Sequence, residues 1–269
     1  MYVDTTAKYK KPSLAHFIKK IFVVSDNPSF TRLYEFLGQQ YINERLWAKG
    51  YKNIQVLHRL ERGFGVEDNR HTNKMSFYNP SGQTLYTQNA QYNPKKYTCK
   101  IKNPYVAKSY YKWGKFYQKP LSFRNKNYFA LEDMHEMLKA VMFLESVPAH
   151  KRFNLTKDDY RFLYKCMSML PRESNYPKYT KDYEKDGMVK YFIYGDLLEE
   201  EANKSHIPDN VRIFNKVGLS YGFLVDNAYI VDFEAKVEFL LSAVMYVNED
   251  EILNNEKYEY EEIGFPFFR

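Results

Sequence analysis

Three runs rich in Val, Ile, Phe and Tyr close the chain, Val211–Lys216, Tyr221–Asp232 and Val237–Asn248, and only a few residues separate each from the next. Branched and aromatic side chains suit a pleated, half-buried surface, and Gly218 and Asn227 punctuate the runs. Connections this short join antiparallel neighbours, because a parallel pair needs a crossover of a dozen residues or more. The end of the chain is therefore expected to form a three-stranded antiparallel meander. Such a sheet must bury a face, so the remainder of the chain has to supply a layer that covers it.

That layer is legible as helices. Pro12-Ser13 opens a segment with Leu14, Phe17, Ile18 and Ile21 at helical spacing, and Ser13 is placed to cap it. A second segment carries Phe30, Leu33, Tyr34 and Leu37 and stops at Gly38; a third carries Ile42, Leu46 and Trp47 and stops at Gly50. Both glycines stand where a left-handed C-cap is wanted. Helical periodicity returns over Leu131–Leu144, through Leu131, Met134, Leu138, Val141 and Met142, and over Thr156–Leu170, where Thr156 and Asp159 form a capping-box pattern and Pro171 ends the run. Between Tyr51 and about Asn127 no period holds for long; an extended irregular region is expected, with one hairpin around Pro80-Ser-Gly82. The fold class predicted is α/β of the α+β type, a mainly helical layer packed on an antiparallel sheet. Residues 1–205 make the helical region with its long irregular insert, and 206–269 the strand region.

Composition removes several function classes. A chain of 269 residues with 44% hydrophobic content can bury a substantial core. Its longest apolar runs, such as Phe239–Val247, are too short to span a bilayer. Cys99 and Cys166 match no metal-site spacing and are read as free thiols, although a single bridge in an oxidising compartment stays open. The net charge of +7 and the Tyr/Lys-rich segment 95–119 raise the question of nucleic acid, since lysines neutralise phosphates and aromatics stack on bases. Those residues fall in no recognisable binding module, and charge runs are usually solvated faces, so no nucleic-acid partner is expected. Asp133, His135 and Glu136 share one helix and His58 precedes Arg59, but no histidine pair has the spacing of a zinc helix; no metal and no cofactor are expected. Glu199-Glu200-Glu201 reads as a solvated helix face. There is no Gly-rich phosphate loop.

Ser25-Asp26-Asn27 interrupts the first helical pattern with three small polar groups between two helices, and Lys216-Val217-Gly218 ends the first strand run far downstream. These resemble two of the three signatures of the serine penicillin-recognising superfamily, S-x-x-K, S-D-N and K-T-G. The resemblance is closest to the class A β-lactamase-like bacterial serine hydrolases and runs, patchily, from about residue 12 to the C-terminus. The segments 13–51 and 214–248 look like that family's helix–SDN–helix stretch and its last three strands. The resemblance implies a β-lactamase/transpeptidase-like fold and a periplasmic or extracytoplasmic protein. Its implied activity is amide hydrolysis through an acyl-enzyme on a β-lactam or peptidoglycan-type amide.

By the same resemblance, Ser25 would relay a proton to the departing nitrogen, Lys216 would hold that hydroxyl and attract an anionic substrate, and Asn27 would hydrogen-bond the substrate or the lysine. Gly218 would let the strand approach the ligand, and the Leu219 N–H would be one oxyanion donor. Arg59-Leu60-Glu61 matches the R-x-E of the family's omega loop, which casts Glu61 as the base that activates the deacylating water. The departures are specific. Phe64 and Gly65 stand where a leucine–asparagine pair is usual, Val217 replaces the hydroxyl residue of K-T-G, and Asp226 falls about where a basic anchor is common and would repel an acid substrate. No S-x-x-K precedes Ser25, and Ser109-Tyr-Tyr-Lys112 is read as a chance match. The expectation is a family member lacking its S-x-x-K segment and final helix and inactive as this chain. The alternative is a non-catalytic descendant that binds a ligand or protein through the same cleft.

Overall fold

The structure, a computed structural model, describes residues 3–179, 185–192 and 206–268. Its framework is a three-stranded antiparallel sheet of β11 (Val211–Ser220), β12 (Phe223–Asp232) and β13 (Val237–Tyr246), in that order, with helices packed on one face. These are the three strands expected, but Gly218 and Asn227 lie inside them instead of ending them. The turn falls at Tyr221-Gly222, both at positive φ (55° and 83°), the backbone that a two-residue hairpin needs to match strand twist. Asn227 is tolerated mid-strand because both ends of its amide are bonded: Nδ2 donates to Met134 O at 3.0 Å and Oδ1 accepts from Ser242 Oγ at 2.6 Å.

Helices α1 (Leu14–Val24), α2 (Asn27–Leu37), α3 (Gln39–Ala48), α4 (Leu131–Met142) and α5 (Lys157–Ser168) follow the sequence periodicity. Ser13 caps α1 by accepting from His16 N, Asp26 caps α2 by accepting from Ser29 N, and α5 carries its capping box at Thr156 and Asp159. Gly38 takes positive φ but an extended ψ of 148°, so it redirects the chain into α3 instead of forming a left-handed cap.

The expected irregular stretch between α3 and α4 holds ten short strands: β1 (Ile54–Gln55), β2 (His71–Thr72), β3 (Met75–Tyr78), β4 (Thr84–Gln88), β5 (Gln91–Tyr92), β6 (Tyr105–Val106), β7 (Ser109–Lys112), β8 (Lys115–Tyr117), β9 (Leu121–Ser122) and β10 (Tyr128–Phe129). Only the β3–β4 hairpin was expected there, and it turns at Asn79–Gln83. Runs of two residues show no alternation. Side-chain hydrogen bonds carry much of the ordering instead: Gln55 Nε2 donates to Arg124 O and Lys126 O, and Asn127 Oδ1 accepts from Leu57 N and His58 N. A last strand, β14 (Ile252–Leu253), runs parallel to β7 in a sheet ordered β14-β7-β8.

Alternation along the main sheet makes two cores. Phe214, Tyr229, Val231 and Leu240 face the helices and pack with Phe22, Leu138, Leu163 and Met167. Ile213, Val217, Leu224, Ala228 and Ile230 face the other way, against Tyr191, Phe192, Phe265 and Phe268. The chain is an α+β protein of helices on an antiparallel sheet. Glu199–Glu201 lies outside the described residues. Among the described residues no helix is long and apolar enough to cross a membrane, and Cys99 and Cys166 are free thiols.

Candidate active site

Ser25 closes α1 in the left-handed region (φ 56°, ψ 39°), with its backbone N–H bonded to Ile21 O. A branched or bulky side chain resists this conformation, whereas a small polar residue accommodates it at a modest cost. The turn aims the Ser25 hydroxyl at β11, where Lys216 Nζ donates to Ser25 Oγ at 2.6 Å and to Val217 O at 2.5 Å. Lys216 lies on the helix-facing side of the sheet because its neighbours Asn215 and Val217 are buried on the other.

Burial pushes the Lys216 amine down to about 8, opposed only in part by the Asp226 carboxylate. Lys216 forms no ion pair among the described residues, so the groups in direct contact with its amine are a hydroxyl and a carbonyl. A lysine poised this close to neutrality beside a serine hydroxyl can pass a proton in either direction.

A second pair adjoins the first through the SDN turn. Asn27 Nδ2 donates to Glu61 Oε1 at 2.8 Å, which brings the R-x-E segment against the start of α2. Arg59 fixes that segment from within. It is buried, its Nε donates to Glu35 Oε1 at 2.5 Å, and its other nitrogens reach Asn69 Oδ1 and His71 O. Thr31 Oγ1 both donates to Leu60 O and accepts from Leu60 N, so residues 59–61 are clamped to α2 at two points. Glu61 itself is exposed, at φ 52°. Sequence reasoning missed Thr31, Glu35 and Asn69. The signal present was a threonine and a glutamate four apart on one face of α2, where a helix against a core would otherwise carry apolar residues.

Gly218 stands two residues beyond Lys216 on the same face of β11. A Cβ there would sit 2.9 Å from Val225 Cγ1, so the missing side chain is required by the neighbouring strand. Leu219 is half exposed near the hairpin and opposes Leu224. β11 has no strand on its outer side, so alternate N–H groups along it point away from β12.

Two sequence expectations need correcting. Asp226 does not face Ser25 and Lys216: the strand period puts it, fully buried, on the far face, where it accepts from Asn215 Nδ2 at 2.8 Å and from the backbone N–H groups of Tyr191 and Phe192. Burial raises its pKa, and burial lowers that of Lys190, whose Nζ donates to Asn215 Oδ1 at 2.5 Å and Met167 O. It therefore cannot repel a ligand by contact. Val217 likewise points into the far core, so its apolar character answers to packing there.

The remaining candidates are used structurally. Ser109 is buried in β7 between β14 and β8, outside the sheet that bears Lys216. His58 Nδ1 contacts Arg59 O, Asp133 accepts from Asn53 N, His135 meets Ser242 Oγ, and Glu136 pairs with Lys151. Among the described residues no cluster of His, Cys, Asp and Glu could hold a metal ion.

No protein-family model matches the chain, and no curated protein is significantly similar to it. Among solved structures, the chain is similar to the β-lactamase from Streptomyces albus G, at 11% identity and a TM-score of 0.39. The match covers 91% of this chain and 60% of that one, so the chain spans less than two thirds of that enzyme's length. The likeness is distant.

Proposed function

We propose that the Ser25–Lys216 cleft is the ligand-holding and proton-relaying part of a β-lactamase-like serine hydrolase site, shaped for an amide that also carries an anionic group. The observation that supports this best is the 2.6 Å contact between Ser25 Oγ and a lysine pushed down to about 8. In this reading the charged form of Lys216 attracts the ligand's anionic group, and the Ser25 hydroxyl beside it donates a hydrogen bond to the amide nitrogen, the position from which a proton would pass if a nucleophile broke the C–N bond. Asn27, its Nδ2 engaged by Glu61, offers Oδ1 to the ligand, and Glu61 orients a water at the rim. The outward N–H groups of β11 near Gly218 and Leu219 receive the amide carbonyl. No S-x-x-K serine joins the site among the described residues, so the proposed role is reversible binding of a β-lactam or peptidoglycan-type amide without an acyl-enzyme.

Benzylpenicillin tests this. Calorimetry should find saturable binding with a Kd of about a millimolar or tighter. Lys216→Ala should abolish it, Ser25→Ala should weaken it, and intact-protein mass spectrometry should find no adduct. Absence of binding in the unaltered chain would refute the reading. A penicilloyl adduct on Ser25 would replace the relay with a nucleophile.

A further inference from the structure

Beyond the far end of β11, past the Tyr221-Gly222 turn, a cavity of about 860 Å3 opens between that turn, the β7–β8 hairpin and the residues around β14. This volume lies within the range of small-molecule sites. Tyr221 stands five positions after Lys216 at the end of an extended strand, about 16 Å at the strand rise, so this is a separate place from the Ser25–Lys216 pair.

The cavity's construction is unusual in two respects. Its walls are aromatic: Tyr110, Tyr111, Trp113 and Tyr221 line it. Trp113, at the hairpin tip, is 86% exposed, although a tryptophan normally gains by burial. Lys112 Nζ lies 4.5 Å over its ring, and Lys126 Nζ both donates to Tyr221 OH at 2.6 Å and lies over that ring. The second respect is backbone strain. Asn254 and Glu256 line the cavity at positive φ outside the hairpins, and Glu251 beside it does the same, whereas Trp113 and Tyr221 owe theirs to the two-residue turns Trp113-Gly114 and Tyr221-Gly222. Bulky residues in that region are outliers, and such positions persist at ligand clamps.

Charge separates the possible ligands. Lys112, Lys126 and Lys257 are interspersed with Asp250 and Glu256, so the walls present both signs and no uniform positive field for a polyanion. Flat apolar faces set among alternating donors and acceptors suit a ligand with a C–H face and a rim of hydroxyls.

We propose that this cavity binds a saccharide, stacked on Trp113 and hydrogen-bonded through its hydroxyls to Lys126, Asn254 and Glu256. The inference does not depend on the reading of the Ser25–Lys216 cleft. It gives the Tyr/Lys-rich segment 95–119 a role as the platform of a binding site.

The chain has two tryptophans, and Trp47 is held by its Nε1 bond to Ile54 O, so emission changes on binding report Trp113. The full chain would be titrated with chitotetraose, cellotetraose and maltotetraose, and in parallel with a ten-residue oligothymidylate. At least one oligosaccharide should shift the emission to the blue and saturate. Trp113→Ala, which removes a solvent-exposed ring and should leave the melting temperature unchanged, should abolish the shift and weaken calorimetric binding about tenfold or more, the scale of one lost stacked ring. No binding by any oligosaccharide would overturn the proposal, as would calorimetric binding of unchanged affinity in Trp113→Ala. Binding of the oligothymidylate alone, weakening with salt, would also overturn it and make the platform a nucleic-acid site.

Discussion

Arg59 Nε donates to Glu35 Oε1 at 2.5 Å inside the protein, and through this pair α2 holds the segment that presents Glu61 to Asn27. Glu35 also accepts from Asn73 N, so a single carboxylate organises both ends of the loop 59–73. Removing one partner of a buried pair leaves an uncompensated charge and costs about 3–5 kcal/mol. Arg59→Met should destabilise the chain by that amount in urea unfolding, and Arg59→Met/Glu35→Leu should recover a part of it. A loss under about 1 kcal/mol in the single variant would show that the pair is not the anchor described.

Gly218→Ala tests the packing of β11 against β12 beside Lys216. The added methyl meets Val225 Cγ1 at 2.9 Å, and overpacking of this kind costs about 1–3 kcal/mol. Thermal unfolding should show the loss. Adding Val225→Ala should reverse the Gly218 effect, which a purely conformational preference for glycine would not allow.

The outer strand carries a different liability. β13 is unpaired on one side, and Val237, Phe239 and Leu241 stand exposed along one of its faces. The far face of the sheet is covered over β11 and β12 and open at this edge. An apolar edge invites pairing with another chain. Sedimentation velocity should find self-association that Leu241→Lys reduces. A strictly monomeric unaltered chain at all concentrations would contradict this.

Much of this architecture was legible because it rests on periodicity and caps. The five helices and three long strands follow apolar spacing that tertiary packing reinforces, and Ser13, Asp26 and Thr156 cap where small polar residues precede an apolar run. The meeting of Ser25 with Lys216 was readable only through the resemblance, since contacts 191 residues apart leave no local pattern. The short strands of the insert were illegible for a related reason. Gln55, Asn43 and Asn127 order them through side-chain bonds to distant backbone, and nothing in a run of two residues shows which partner lies opposite. Asp226 was misplaced because its face depends on strand register, which a one-residue shift reverses.

Stability should depend on pH through Lys216. Its amine is ordinarily near 10.5 and is pushed down to about 8 in the fold. Between those values the unfolded chain still binds a proton that the folded chain has released, so stability from this group rises with pH across that window. Below about 8 both states are charged and the cost of burial is present in full. Lys216→Met should therefore be more stable than the unaltered chain at pH 7, with the gap closing toward pH 10. Comparing the two by urea unfolding cancels the other titrating groups. A gap of constant size would count against the lowered value.

The state of the Lys216 amine itself is the most direct test of the proton-relay account. In protein labelled with 15N at the lysine side chains, the Lys216 signal, assigned by its loss in Lys216→Arg, should titrate with a midpoint of about 8. It should also shift in Ser25→Ala, which removes the hydroxyl 2.6 Å away. A midpoint near the ordinary 10.5, unmoved by Ser25→Ala, would mean a lysine that holds its proton near neutral pH and exchanges none with the serine, and would contradict the account.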